Sequence, residues 1–314
     1  MRALLKGQYS IAAAVCLLGL LLSGLLFLKI RDENRDDRYQ EFVQASEGYI
    51  TSLQRTVEFD FVELRSVQTF CSVTPEVTPE RFTQFVATLI DKHPSLRGIE
   101  WVPRVPESAR ANWQKLATGN GTESCSIQER DRSGLLVPAR GRDEYFPILY
   151  VEPARGNVVA RGYDLANDPD CREAMTRARD LGKPVLTGKI SLVNESGNRV
   201  GVRMFLPVYR GHVVPATVSA RQEQLSGYVV GIIRLKEIFE ESLSGLAPMG
   251  IHICLQDETD RSRPALLYAH RSRLGSPRDL EPVFEGSDAF RIHRQVHLAG
   301  QIWAITCVAS RRLS

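Results

Sequence analysis

The residues best suited to catalysis or metal binding are scarce in this chain of 314 amino acids and poorly arranged for either role. Of its six histidines, His293 and His297 lie closest together, within the alternating segment FRIHRQVHLAG. Strand geometry would turn both imidazoles to one side, where solvated histidines are more common than metal ligands. The sequence also lacks a P-loop, a nucleophile elbow, an HExxH motif and a GxGxxG motif. We therefore predict a binding protein with no catalytic residues, no cofactor and no metal.

The cysteine and charge content exclude further classes of protein. Six cysteines are too few for a disulfide scaffold. They could all be free thiols; if one disulfide forms, Cys254 and Cys307 are the expected partners, because both lie in core-like strands. A net charge of +3, from 40 basic and 37 acidic residues, argues against an obligate nucleic-acid binder. The hydrophobic content of 43% indicates a globular chain.

The first structural element along the chain is an apolar segment at residues 11–28. No charge interrupts the chain between Lys6 and Lys29, an interval long enough to cross a hydrocarbon core of about 30 Å. A cleaved signal peptide is the alternative, but no A-x-A cleavage site follows the segment. We predict that residues 1–30 form a cytoplasmic tail and a single uncleaved anchor in the inner (plasma) membrane, with residues 31 onward outside the cytoplasm.

A long helix should follow the anchor. From Asp36 to Thr69 there is no proline, and apolar residues recur at helical spacing. We interpret residues 31–75 as a stalk helix whose apolar stripe packs against a core or against a second copy of the chain. Because the stripe is long for one compact domain, we expect part of it to form a homodimer. The residues concerned are Phe42, Ile50, Val57 and Leu64.

Beyond the stalk, the pattern changes to short apolar runs of period two, as in GYVVGIIRL. Thr78 followed by Pro79 predicts the start of a second helix. Further helices are expected at residues 107–117, 170–182 and 235–246. Strands without regular β-α-β alternation predict an α+β fold with antiparallel sheets. We divide this part of the chain into a first segment, 76–225, and a second segment, 226–314.

One strand, RVGVRMFLPVY, carries a charged residue, Arg203, among apolar ones. Alternation places Arg203 and Phe205 on one face of the strand, and Met204 on the other. A guanidinium that points into an enclosed cavity needs an anionic or strongly polar partner. If Arg203 points inward, an anionic small molecule is the expected ligand; a solvated position at the rim is the alternative.

Several segments, taken in order, resemble the CHASE domain, the extracytoplasmic sensory domain of many receptor kinases and cyclases. They are GIEWVPRVPESAR, YFPILYVEP, GYDLANDPDCREAMTRARDLGKPVLTGKISLV, FLPVYRG and GYVVGIIRL, within roughly residues 60 to 245. The resemblance implies a stalk helix and two PAS-like subdomains, of which the membrane-distal one holds a small-molecule pocket. It implies a ligand-sensing input domain at the front of a longer kinase or cyclase, and a chain without an output module is the alternative. A membrane-anchored protein-interaction module that binds no small molecule also remains open.

The resemblance also suggests site residues. In the plant cytokinin receptors of this family an Asp and a Thr contact the adenine, and Cys171 and Phe205 stand at those positions here. Without the acidic acceptor, an adenine-type ligand is not expected. Thr187 matches another threonine of the family, either as a ligand contact or as a strand-end hydroxyl bonded to backbone. The predicted pocket residues are Trp101, Cys171, Thr187, Leu192, Arg203 and Phe205, with Tyr150 and Tyr163 as further walls.

Overall fold

A computed structural model describes residues 2–74, 76–118, 125–154, 160–191, 200–247, 249–260, 262–272 and 290–310. Within these ranges the α-helices are α1 (Arg2–Val73), α2 (Pro79–Ile90), α3 (Arg110–Thr118), α4 (Pro169–Leu181), α5 (Val218–Gln224) and α6 (Leu235–Leu243). The first strands are β1 (Leu96–Pro103), β2 (Val105–Pro106), β3 (Gln128–Arg130), β4 (Leu136–Pro138), β5 (Glu144–Tyr145), β6 (Tyr150–Glu152), β7 (Val185–Leu186) and β8 (Ile190–Ser191). The later strands are β9 (Val200–Tyr209), β10 (Leu225–Arg234), β11 (Ile251–Asp257), β12 (Ala265–His270), β13 (Arg291–Leu298) and β14 (Gln301–Ala309).

Helix α1 is the shared support of two sheets. Its proline-free sequence forms one continuous helix of 72 residues. The Tyr49 hydroxyl donates a hydrogen bond to the carbonyl of Ala247 at 2.7 Å, in the connection between α6 and β11. Farther along, the Gln68 side chain donates to the carbonyl of Pro207 at 2.6 Å, on β9. From its N-terminal end onward, helix α1 therefore contacts first the connection between α6 and β11 and then, near its C-terminal end, strand β9.

The apolar stripe of α1 packs within its own chain. Phe42, Ile50, Val57 and Leu64 are between 0% and 4% exposed and belong to the main hydrophobic core. The two sheets together cover a length of helix that one compact domain could not. The prediction that this stripe forms the dimer contact is therefore wrong, because these side chains are interior.

The first sheet has the strand order β6-β1-β10-β9-β7, with β8 pairing farther along β9, and its pairs are antiparallel. Strand β10 is central to it, pairing with β1 on one side and β9 on the other. The predicted boundary after residue 225 would separate β10 from these partners. The division between the sheets instead falls after β10, where α6 begins.

The second sheet is antiparallel, with the order β12-β11-β14-β13. In its register Ile253 lies opposite Cys307, and Cys254 lies opposite Thr306. Cys254 and Cys307 are therefore not opposite each other, and their side chains point to opposite faces of the sheet. Both are free thiols. The suggested disulfide between them is wrong. His293 and His297 are exposed on β13, as predicted.

Local signals set the ends of the helices near the first sheet. The Thr78 side chain accepts a hydrogen bond from the backbone N–H of Arg81, which confirms it as the N-cap of α2. Helix α4 begins after Asp168, whose side chain caps the first turn, and carries Pro169 in that turn. It ends at Gly182, which has the left-handed backbone conformation with φ of 64°.

Part of the predicted anchor, residues 1–16, lies outside the residues whose side chains are described. Among the described helical segments, none is long and apolar enough to cross a membrane.

Candidate ligand site

The candidate site is built on the register of β1, β10 and β9. Glu100 lies opposite Val230, and Val230 lies opposite Phe205. Directly opposed residues of antiparallel strands point to the same face, so Glu100 and Phe205 share one. Side-chain alternation along β9 adds Arg203 to that face and confirms the predicted separation of Arg203 and Phe205 from Met204. Helix α4 covers this face and brings Cys171 to it.

A charged pair lies at the centre of the site. Arg203 Nε is 3.9 Å from Glu100 Oε2, and Arg203 Nη1 is 3.7 Å from Cys171 Sγ. The Glu100 side chain is 1% exposed and that of Arg203 is 18% exposed. At 3.9 Å the two groups attract each other but do not form a hydrogen bond. Among the described residues, neither Arg203 Nε nor Glu100 Oε2 has a hydrogen-bond partner.

Burial and mutual attraction set the ionisation of these groups. Burial raises the pKa of Glu100, and the positive charge of Arg203 opposes that rise. Burial alone would lower the pKa of Arg203, but the charge of Glu100 and the Cys171 thiol raise it above its ordinary value. Burial raises the pKa of Cys171 to about 12, so this group is a neutral thiol near neutral pH.

Thr187 fixes the backbone of β9 beside Arg203. The backbone N–H of Thr187 donates to the Arg203 carbonyl at 2.8 Å. In return, the Thr187 hydroxyl accepts the backbone N–H of Arg203 at 3.0 Å. Thr187 is 2% exposed and continues the pairing after β7 ends. Its hydroxyl therefore has the backbone-bonding role that the sequence left open.

Aromatic side chains form the apolar wall next to the charged pair. Phe205 is fully buried and meets the ring of Tyr228 edge-on, with 5.9 Å between ring centroids. The Tyr228 hydroxyl donates to the carbonyl of Met175 on α4 at 2.9 Å, which satisfies its polar end. Tyr163 packs against the same cluster and is half-buried. These contacts hold α4 against the sheet and leave the charged pair at one side.

The structure does not bring every predicted residue to this site. Trp101 lies opposite Val229 and packs in the core on the other face of the sheet, towards α1 and α2. Tyr150 lies opposite Trp101 and packs against Phe82 of α2, so it shares that other face. Leu192 lies outside the described residues. Cys171, Thr187, Arg203 and Phe205 are brought together.

Glu100 was not among the predicted site residues, although the sequence carried a signal for it. In GIEWVPRV it is the one acidic residue of an apolar run, and a carboxylate inside a buried strand calls for a partner. Only the strand register reveals that its partner is Arg203. An adenine-type ligand was not expected because no acidic acceptor was predicted in the site. Glu100 supplies one from β1, so that premise does not hold.

A second buried acidic group lies on the opposite side of the sheet, where α1 meets α6. Asp60 is fully buried, and its Oδ1 accepts a hydrogen bond from the Ser95 hydroxyl at 2.8 Å. Burial raises the pKa of Asp60 to about 7; the nearby acids Glu241 and Glu63 add to the rise, and the Ser95 bond opposes it. His93 Nδ1 lies 3.8 Å from Asp60 Oδ1. Among the described residues, no group of His, Cys, Asp and Glu has the arrangement of a metal site.

The described residues thus form one long helix that carries two antiparallel sheets, and a buried charged pair lies on the face of the first sheet that α4 covers. The family model of the CHASE domain matches residues 75–268. The chain belongs to the CHASE domain family. It is accordingly an extracytoplasmic sensory input domain of a membrane receptor.

Curated relatives are histidine kinases much longer than this chain. "Histidine kinase 3" of Arabidopsis thaliana is 26% identical over 220 residues, which cover 68% of this chain and 21% of the kinase. "Hybrid signal transduction histidine kinase A" of Dictyostelium discoideum is 21% identical over 325 residues, which cover 98% of this chain and 15% of the kinase. The chain thus spans about a fifth or less of the length of these relatives.

A solved structure shares the fold. The periplasmic sensory domain of the Campylobacter jejuni chemoreceptor Tlp1 aligns with 87% of this chain and 95% of its own. The TM-score is 0.52 and the sequence identity is 11%. At this identity the likeness concerns the arrangement of helix and sheets, not the ligand.

Proposed function

We propose that the chain senses a small molecule bound at the face of the first sheet that α4 covers. The binding residues are Glu100, Cys171, Arg203 and Phe205, with Thr187 holding the backbone of β9 beside them. Arg203 binds an acidic group of the ligand. The observation that carries this proposal is the incompletely bonded pair of Arg203 and Glu100. Buried polar groups are almost always hydrogen-bonded, so a pair with free bonding positions is expected to receive a partner. Arg203 is 18% exposed, so part of its side chain is in contact with solvent.

The signal passes from this face to α1 through the sheet itself. The opposite face of β9 and β10 packs directly on α1, where Leu64 contacts Gly231 and Gln68 binds the carbonyl of Pro207. A ligand that favours one position of β9 therefore favours one position of α1. Because α1 runs without interruption back to its N-terminal end, a small shift at the sheet can be transmitted along the helix.

The chain is the input part of a longer receptor with a histidine kinase output. Support comes from the two histidine kinases, of which the chain spans 21% and 15%. Residues 11–28 anchor it in the inner (plasma) membrane, with the two sheets outside the cytoplasm; the uninterrupted apolar sequence supports this anchor. A reporter enzyme active only in the cytoplasm, fused after Ser314, should remain inactive. Activity of that fusion would contradict the orientation.

The receptor forms a homodimer through the outer face of α1, not through the buried stripe. Phe59 and Val62 are 61% and 59% exposed and lie about one turn apart. Paired in a dimer, these two apolar side chains would be removed from water. In sedimentation of the detergent-solubilised chain, Phe59→Ser with Val62→Ser should shift dimer to monomer. A native chain that is monomeric at all concentrations would contradict this contact.

Thermal unfolding of the detergent-solubilised chain tests the ligand site. A carboxylate ligand that binds only the folded state should raise the melting temperature, and the rise should disappear in Arg203→Ala. Arg132→Ala is the matched control, because Arg132 is exposed on the turn between β3 and β4 and far along the chain from the site. An equal rise in Arg203→Ala would contradict the site. If neither organic acids nor adenine derivatives change the melting temperature, an interaction module becomes the better description.

A further inference from the structure

We infer that the ligand of this site is a zwitterion in which an ammonium and a carboxylate lie close together, as in an α-amino acid. The inference rests on the proposed function, namely that the face under α4 binds a small molecule. It goes further by assigning one ligand group to each member of the charged pair: the carboxylate to Arg203 and the ammonium to Glu100.

The net charge of the site favours a zwitterion over a simple anion. A lone buried arginine would select an anion, but Arg203 already has Glu100 at 3.9 Å. A ligand with a single negative charge would be attracted by Arg203 and repelled by Glu100 at nearly the same distance. A zwitterion adds no net charge to the buried site. Its two charges can each meet an opposite charge of the protein, so the ligand is attracted twice.

The unpartnered hydrogen-bonding atoms of the site also match a zwitterion. The atoms without partners are a donor, Arg203 Nε, and an acceptor, Glu100 Oε2. A carboxylate can accept from the first, and an ammonium can donate to the second. Glu100 is only 1% exposed, so an oxygen without a hydrogen bond there costs free energy. A ligand group that donates to this oxygen removes that cost and so binds more tightly.

The short distance between Arg203 and Glu100 limits how far apart the two ligand charges can be. Because the two protein atoms are 3.9 Å apart, the two ligand groups must also be near neighbours. In an α-amino acid one carbon separates the ammonium from the carboxylate. Each added methylene lets the groups move farther apart and requires more ordering of the chain on binding. The site should therefore prefer an α-amino acid over its β-homologue.

The N-terminal end of α4 does not offer an alternative site for the ligand carboxylate. Its backbone N–H groups at Asp170 and Cys171 already donate to Asp168 Oδ1, at 2.9 and 3.1 Å. The Cys171 thiol is neutral and adds no charge of its own. Arg203 is therefore the group at this end of the site that can take an anion, and Phe205 supplies the neighbouring apolar wall.

A series of ligand analogues tests the inference on the native chain, so no variant needs to fold. The probes are the L-α-amino acids, applied one at a time to the detergent-solubilised chain, with melting temperature and calorimetric affinity as readouts. For an amino acid that binds, the probes continue with its amide, its des-amino acid and its β-homologue. We expect at least tenfold weaker binding for the amide and for the des-amino acid, and weaker binding for the β-homologue.

Two variants assign the ligand groups. Glu100→Gln should remove the preference for the amino acid over its des-amino analogue, because the charge that attracts the ammonium is gone. Arg203→Gln should remove the preference for the amino acid over its amide. Arg132→Ala should leave both preferences unchanged.

The results of these measurements distinguish the zwitterionic ligand from the proposed ligand site itself. If simple monocarboxylates bind as tightly as amino acids and depend on Arg203, the zwitterion is overturned and the proposed site stands. If binding of every probe is independent of Arg203, both are overturned. If no amino acid binds the native chain, the zwitterion is likewise overturned.

Discussion

The two faces of the first sheet come from the same strands but differ in chemistry. On the side of α1 and α2, Val202, Met204 and Leu206 are fully buried among other apolar side chains. On the side of α4, Arg203 alternates with them and faces Glu100 at 3.9 Å. One face is close-packed and holds the sheet on the long helix. The other retains a charged pair whose bonding is incomplete.

The difference indicates a division of roles within single strands. A close-packed apolar face transmits displacement, because its side chains have no room to absorb it. A buried charged pair is weak evidence for stability, since desolvation offsets much of its attraction. Its retention in a buried position is more easily explained by recognition. Changes on the two faces should therefore have different consequences for stability and for binding.

The largest loss of stability should come from the apolar face, with Leu64→Ala. Leu64 is fully buried on α1, so the substitution removes buried methyl groups and leaves a cavity beside Gly231. We expect the free energy of unfolding to fall by about 3–5 kcal/mol in urea titration. Leu116→Ala on α3 is the matched control; its side chain is 74% exposed, and the change should be small.

A double variant sharpens this result. A Cβ built at Gly231 would lie 2.4 Å from Leu64 Cδ1, so Gly231→Ala alone should be destabilising. Combined with Leu64→Ala, the new methyl enters the cavity, and the two losses should be less than additive. Strictly additive losses would show that Leu64 does not pack on Gly231 as described.

The next effect should come from converting the binding face into an apolar one. Glu100→Leu alone leaves Arg203 buried without its counter-charge and should cost about 3 kcal/mol. Adding Arg203→Leu removes the second charge, and the double variant should regain most of that stability. Urea titration of both variants checks this order. A double variant less stable than the single one would mean that the pair is a structural ion pair, and the contrast between the faces would fail.

The apolar side of the sheet has its own buried charge, and pH should reveal it. Asp60 has a pKa of about 7 in the folded chain against 3.8 for the ordinary group, so the folded chain binds the proton more tightly. The free energy of unfolding should therefore fall as the pH rises from about 4 to about 7 and then level off. Asp60→Asn should remove this part of the decline and stabilise the chain above pH 7, where the native carboxylate is charged in both the folded and the unfolded chain.

Denaturant titrations at several pH values measure the effect. The groups facing Asp60 are Glu63 on its own helix, His93 and Ser95 before β1, and Glu241 on α6. Asp91→Asn, on an exposed residue after α2, is the control and should leave the pH profile as it is in the native chain. A profile unchanged by Asp60→Asn would show that the Asp60 carboxylate is not buried as described.

The smallest effect should come from Thr187→Val at the edge of the binding face. The substitution keeps the side-chain shape but leaves the backbone N–H of Arg203 without its acceptor, at a cost of about 1–2 kcal/mol. Thr187→Ser keeps the hydroxyl and should lose less. Equal losses in the two variants would indicate that the methyl group, and not the hydrogen bond, is the part of Thr187 that matters.

Much of the architecture could be predicted from local patterns. Helical spacing and the absence of proline identified the long helix, and Thr78 with Pro79 located the start of α2. Period-two runs identified the antiparallel strands, and alternation correctly separated Arg203 and Phe205 from Met204. These features follow from the sequence because each depends on residues only a few positions apart.

Other features were decided by contacts between distant segments. The apolar stripe of α1 could pack on a second copy of the chain or on its own sheets. Which of the two occurs depends on the positions of residues near 231 and 305, and helical spacing does not encode those positions. The placement of β10 in the first sheet and the offset of Cys254 from Cys307 are likewise matters of strand register.

The candidate site divides in the same way. Cys171, Arg203 and Phe205 could be named from sequence, but Glu100 could not be paired with Arg203, because β10 lies between their strands. Trp101 was assigned to the wrong face, since a strand's alternation fixes which residues share a face but not which face meets which helix. The sequence therefore determined the elements and the alternation within each strand. Tertiary structure decided which charges meet, because that depends on register across three strands and on the helix that covers them.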